Sequence, residues 1–155
     1  METPYYQRPD WFTGNVANRI VAWLTRRGVS VWGSRVLFVR GRTSGQWRSN
    51  PVNLLDHAGH RYLVAPRGET DWVRNLRAAG GGELRLGRRV EAFTAVELSG
   101  DEKIAVLREY LRRWKWEVGT FFGGVGADST HAELAAIAGR HPVFVVGVSP
   151  REPGR

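Results

Sequence analysis

The sequence predicts a mainly β chain of the α+β class, a small antiparallel barrel with peripheral helices. Six runs rich in apolar and β-branched residues occur at Arg35–Arg40, Pro51–Leu55, Arg61–Ala65, Glu83–Leu86, Val90–Leu98 and Pro142–Val148. Tight polar segments, Asp56-His57-Ala58-Gly59 and Gly87-Arg88-Arg89, join neighbouring runs as turns of an antiparallel meander. No strand–helix–strand alternation is present, which argues against a doubly wound parallel sheet.

Taken in order, the chain first offers Trp11, Phe12, Val16, Ile20, Trp23 and Leu24 at helical spacing, with Arg19, Arg26 and Arg27 elsewhere on the wheel. Residues 1–30 therefore read as a basic amphipathic helical segment. Its apolar stripe either caps the core or docks on a membrane surface or partner. Residues 31–150 read as the barrel. Within it, Thr70 or Asp71 caps a helix over Trp72–Ala79, and Gly80-Gly81-Gly82 ends that helix. Ser99 with Glu102 forms a capping box for a helix through Trp116, and Thr130 with Glu133 forms one for Ala132–Ala138. Between these two helices, Phe121-Phe122-Gly123-Gly124-Val125-Gly126 reads as a flexible, apolar-lipped loop. At 155 residues, with no repeat or linker, one domain is expected.

Composition removes several chemistries. The chain has no cysteine, so disulfides, cysteine–zinc sites, iron–sulfur clusters and thiol nucleophiles are excluded, which fits a cytoplasmic setting. The start is polar and the apolar runs are of strand length, so a signal peptide and a spanning helix are not expected. A net charge of +8, carried almost wholly by arginine, draws polyanions: nucleic acid, an anionic membrane or a multiply charged cofactor. The four histidines, His57, His60, His131 and His141, lie in turns or at element ends without ligand spacing, so no metal is expected. No nucleophile elbow and no isolated carboxylate pair points to hydrolysis.

What the chain does offer is Gly41-Arg42-Thr43-Ser44-Gly45-Gln46-Trp47-Arg48-Ser49-Asn50-Pro51, directly after the first strand. Glycines allow positive φ and close backbone approach, hydroxyls donate, and two arginines can grip oxyanions in a fork. Such a loop suits phosphate or carboxylate, although a solvated polar hairpin has the same composition. It is neither a Walker loop nor a dinucleotide fingerprint. Binding groups without a catalytic acid, base or nucleophile suit a protein whose cofactor carries the chemistry.

That loop, followed by Val64-Ala65-Pro66-Arg67-Gly68 and by Trp72-Val73-Arg74-Asn75-Leu76-Arg77-Ala78, resembles the deazaflavin-dependent nitroreductase and quinone reductase family over about residues 35–98. The resemblance implies an FMN-binding-like split β-barrel and the cofactor F420, a hydride carrier found chiefly in actinobacteria and methanogens. It places the anionic tail of F420 over Arg42, Thr43, Ser44, Gly45 and Arg48. It sets the deazaflavin ring against Pro51, Ala65, Arg67 and Gly68, with Trp72 and Asn75 closing the site. On the substrate side it points to Asn53, Pro66, Trp114 and Phe121. Here the chain departs from the drug-activating nitroreductase, which has tyrosine and serine where Asn53 and Pro66 stand, so nitro-drug activation is not carried over.

The resulting expectation is an F420-dependent oxidoreductase that passes a hydride to a quinone, enone or other electron-poor small molecule. Water or Tyr110 would supply the proton. Alternatives are a non-catalytic F420-binding or storage protein and an FMN reductase on the same barrel. A nucleic-acid-binding barrel is a remote alternative: Trp32, Trp47 and Tyr62 permit stacking, but no recognition helix or stacking platform supports it, and no nucleic-acid partner is expected. The N-terminal segment would bring the protein to the inner face of the membrane as a peripheral contact, and either a monomer or a homodimer is compatible with the sequence.

Overall fold

The computed structural model describes residues 34–148. The helix expected over Trp11–Arg27 lies outside the described residues, as does Trp32.

Six strands form a closed antiparallel barrel in the order β1-β2-β3-β6-β5-β4, with β4 returning to pair with β1. They are β1 (Ser34–Arg40), β2 (Trp47–His57), β3 (His60–Val64), β4 (Gly81–Leu86), β5 (Arg89–Glu97) and β6 (Val143–Val148). Helix α1 (Asp71–Ala79) connects β3 to β4; α2 (Gly100–Val118), a 3-10 turn (Gly119–Phe122) and α3 (His131–Ala138) connect β5 to β6.

Two apolar layers result from the alternation of side chains across the strands. Inward-facing Leu37, Val39, Leu54, Leu63, Leu84, Phe93 and Phe144 fill the barrel, and Val73 and Leu76 of α1 join them, so α1 covers the barrel beside β1, β4 and β5. On the outer face, Leu55, Tyr62, Val64 and Val143 pack against Ile104, Leu107, Tyr110, Leu111 and Trp114 of α2 and against Phe122 and Leu134. The second helix bends within its last turns, where Trp114 takes a non-helical φ of −125° and ψ of 16°.

Several local expectations change. The second strand begins at Trp47 rather than Pro51, because Trp47, Arg48 and Ser49 pair in register with Arg40, Val39 and Phe38. Backbone pairing there comes without burial, so alternation of polarity gives no sign of it. Of the three glycines after α1, only Gly80, left-handed at φ 72°, ends the helix; Gly81 and Gly82 belong to β4. A Cβ on either would run into the Phe93 or Phe38 carbonyl of the neighbouring strand. Ser99 stands at the N-cap of α2 but makes no side-chain cap bond, whereas Thr130 accepts from the Glu133 amide at 3.2 Å. Phe122, expected on a flexible loop, is 1% exposed and belongs to the outer core.

Candidate functional site

The loop between β1 and β2 is reduced by the longer strand to Gly41–Gln46, and it is closed upon itself. Gly41 donates to the Gln46 carbonyl at 2.7 Å, and Gly45 donates to the Gly41 carbonyl at 2.9 Å with its φ at 71°. Ser44 Oγ accepts from the Gln46 amide at 3.2 Å. Gly41 is buried, and a Cβ there would lie 2.7 Å from Ser44 Oγ, so a side chain would fill the space into which the loop folds. The loop is thus held by its own backbone, with Ser44 Oγ turned into it.

Asn75 ties this loop to α1. Its side chain is 3% exposed, and Oδ1 accepts both the Arg42 amide at 3.1 Å and Arg42 Nη1 at 2.7 Å. One buried amide oxygen therefore fixes the backbone and the guanidinium of the same residue. Arg42 also approaches Asp71 at 3.5 Å, a pair exposed enough to contribute little by itself.

Between loop and helix lies an open cleft of about 290 Å³, lined by Gly41, Arg42, Thr43, Ser44, Arg48, Asp71 and Asn75. Five residues expected to bind a cofactor, Arg42, Thr43, Ser44, Arg48 and Asn75, meet there, and Gly45 is in the same loop. A larger cleft of about 510 Å³ lies between α2 and the segment before α3, where Arg112 and Lys115 face Asp128 and Glu133. Its mixed charge gives no preference for an anion, and it contains none of the motif residues.

The residues expected around a cofactor ring surround the turn before α1. The Gly68 amide donates to the Ala65 carbonyl at 3.3 Å, with Gly68 at φ 87°. Ala65 is buried at 1% exposure, while Pro66 and Arg67 are partly exposed. Trp72 is partly exposed, its ring 6.3 Å from that of Phe144. Pro51 pairs with Val36 and Asn53 with Ser34. None of these lines the loop cleft.

Tyr110 and Trp114 are not brought to the cleft. At 2% and 0% exposure, with ring centroids 5.1 Å apart, they belong to the outer core, where a proton donor or substrate wall has no access to solvent. Phe121 is partly buried against the same layer.

Three groups at the site escaped sequence reading. Arg40 lies over the Trp47 ring at 4.6 Å and donates to the Gly45 carbonyl at 2.9 Å, bracing the loop from outside. Asp71 places a carboxylate on the cleft. Arg77 is held by Glu69 at 2.9 Å and Glu97 at 2.7 Å, fastening the segment after the turn to α1 and β5. The Arg77 guanidinium beside Glu69 holds that carboxyl below its usual range. Only the position of Arg40, at a strand end beside the motif, could have signalled its role.

The arrangement can grip an anion with two arginines, two hydroxyls and a tight backbone turn. Among the described residues no cluster of three or more histidines, aspartates or glutamates could hold a metal, and no helix is long and apolar enough to cross a membrane.

No curated protein matches the chain. Among solved structures, one described as a domain-swapped dimer is 23% identical, with a TM-score of 0.54, over 88% of this chain and 97% of its own. An F420-H2 dependent reductase (FDR-A) is 21% identical, with a TM-score of 0.53, over 74% and 93%. A protein of unknown function from Agrobacterium tumefaciens reaches 0.55 at 13% identity, over 96% of this chain and 60% of its own. At such identities the likeness is one of fold, the split barrel of FMN-binding type. The family profile of F420H2-dependent quinone reductases matches residues 17–118, spanning the loop, the turn and α1. By that match the chain belongs to the F420H2-dependent quinone reductase family.

Proposed function

We propose that this protein is an F420H2-dependent oxidoreductase acting on a quinone, enone or other electron-poor acceptor. The observation that carries the reading is the cleft at Gly41–Ser44, where Asn75 fixes the Arg42 guanidinium and amide beside Arg48.

These residues fit the tail of F420, which carries phosphate and glutamate carboxylates. Guanidinium and hydroxyl groups are donors, and charge-assisted bonds to such oxygens are the stronger kind. Asp71 opposes an anion, but it lies against Arg42, which offsets its charge where the tail would pass. The expectation for the ring rests on Ala65, Arg67, Gly68 and Trp72, together with Pro51; Asn53, Pro66 and Phe121 remain the candidates for the acceptor side.

When bound, reduced F420 supplies the hydride. The chain's contribution is binding and orientation: the arginine loop anchors the tail while the turn and α1 restrict the ring. Correct placement of donor and acceptor is worth on the order of 7–11 kcal/mol in ideal cases and needs no ionisable side chain. With Tyr110 buried in the core, water is the proton source in this proposal.

Titration with F420 followed by oxidation of F420H2 against a panel of quinones and enones tests the reading. Saturable binding with acceptor-dependent turnover supports it. Binding without turnover on any acceptor would instead make the protein an F420 carrier.

A further inference from the structure

His141 stands just before β6 and is 1% exposed, yet the function proposed above gives it no task. Its ring stacks on Phe122, with centroids 4.1 Å apart and planes 24° from parallel. Phe122 leans on Tyr110 at 6.3 Å, and Tyr110 on Trp114 at 5.1 Å. A column of buried rings thus runs from α2 through the 3-10 turn to His141.

At the end of that column, His141 Nδ1 lies 3.4 Å from the Ala65 carbonyl. The next residue completes the attachment, since the Pro142 carbonyl accepts the Ala65 amide at 2.9 Å. His141 and Pro142 therefore hold both peptide groups of Ala65. The Ala65 carbonyl also closes the turn by accepting from Gly68. A carbonyl only accepts, so Nδ1 must carry the ring proton for this contact to be favourable.

We infer that His141 is a positioning residue, its Nδ1–H and the aromatic column behind it fixing the Ala65–Gly68 turn in the conformation that receives the cofactor ring. The inference rests on the proposed function for its link to the cofactor, but not for the attachment of the turn. The ring is neutral at pH 7: burial pushes its pKa down to about 4, while the Ala65 and Pro66 carbonyls oppose that shift and the cations of Lys103 on α2 and of Arg140 add to it. A neutral imidazole carries one N–H donor and one acceptor nitrogen, so the tautomer decides whether Nδ1 can serve the Ala65 carbonyl.

The ring tautomer of His141 in the wild-type protein gives the first test, read from long-range proton–nitrogen correlations at pH 7. Nδ1–H is expected; Nε2–H with a bare Nδ1 would overturn the inference without any substitution. Two variants give the second. His141→Phe keeps a ring for Phe122 but removes the donor, whereas His141→Asn restores a donor near the position of Nδ1. In cofactor-free protein, amide exchange at Ala65 and Gly68 should quicken by about ten-fold in His141→Phe and return towards wild type in His141→Asn. F420 affinity should fall by about five-fold and recover in the same order. Unchanged exchange and affinity in folded His141→Phe, or equal losses in both variants, would reduce His141 to packing. If wild type does not bind F420, the proposed function falls, and tautomer and exchange rates still decide whether His141 holds the turn.

Discussion

Replacing Asn75 with leucine removes the oxygen that holds Arg42 while keeping the same branched arrangement of side-chain heavy atoms, so the main loss is one of hydrogen bonds. The contact with Arg42 Nη1 at 2.7 Å is charge-assisted, a class contributing about 1.5–3 kcal/mol. Because the Arg42 side chain is 37% exposed, water takes over part of that contact and the lower end applies. The amide contact at 3.1 Å adds about 1 kcal/mol, and leucine regains a fraction by burying an apolar group. Asn75→Leu should therefore cost about 2 kcal/mol in urea unfolding with an unchanged slope. Arg42→Ala, which leaves the amide contact intact, should cost about 1.5 kcal/mol. The double variant should fall short of the sum by about 1.5 kcal/mol, because both changes break the same bond. In the same samples, F420 affinity in Asn75→Leu should weaken about ten-fold as Arg42 loses its fixed direction. Strict additivity, or a cost for Asn75→Leu below about 0.5 kcal/mol, would refute the idea that Asn75 organises the loop.

Arg48→Ala should weaken F420 binding by about ten- to a hundred-fold, and the variant's affinity should depend less on salt than that of wild type. Gly82→Ala should lower stability by about 2–3 kcal/mol in denaturant unfolding, since the added Cβ meets the Phe38 carbonyl in the adjacent strand and backbone there cannot yield. His141 has a folded pKa of about 4 against an ordinary 6.5, so the unfolded chain takes up the proton first. Its contribution is intact above about pH 6.5 and is lost as pH falls towards 4, by up to roughly 3 kcal/mol, so His141→Phe should flatten urea-derived stability across that window. Glu69, held below its usual range by Arg77, acts at lower pH and should leave a residual acid dependence in that variant.

Much of the barrel was legible because its strands are half-buried and alternate or run apolar. Ala58 and Gly59, with φ of 51° and 80° between the paired His57 and His60, form the short hairpin their sequence suggests. What escaped reading was set by partners distant along the chain. Trp47–Ser49 are exposed and polar or amphipathic, yet β1 pairs with them. Gly81 and Gly82 look like the tail of a helix stop, and only the closeness of Phe93 and Phe38 shows why a strand needs them. At the site, the loop residues and Asn75 were singled out from their motifs, but the bond joining Arg42 to Asn75 spans 33 positions and leaves no local signature. Tyr110, Trp114 and Phe122 carried an aromatic signal that serves a pocket and a core equally well; burial assigns them to the core. His141, a single histidine before an apolar strand, showed nothing of its neighbours Phe122 and Ala65.

Side-by-side titration of the wild-type protein with F420 and FMN tests the central claim most directly. Both ligands present phosphate to an arginine loop, but F420 adds the carboxylates that Arg42 and Arg48 can engage. The account predicts saturable, salt-sensitive binding of F420, tighter than that of FMN by about a hundred-fold, or about 2.7 kcal/mol. Equal or tighter binding of FMN, or no binding of F420 at low salt, would contradict it.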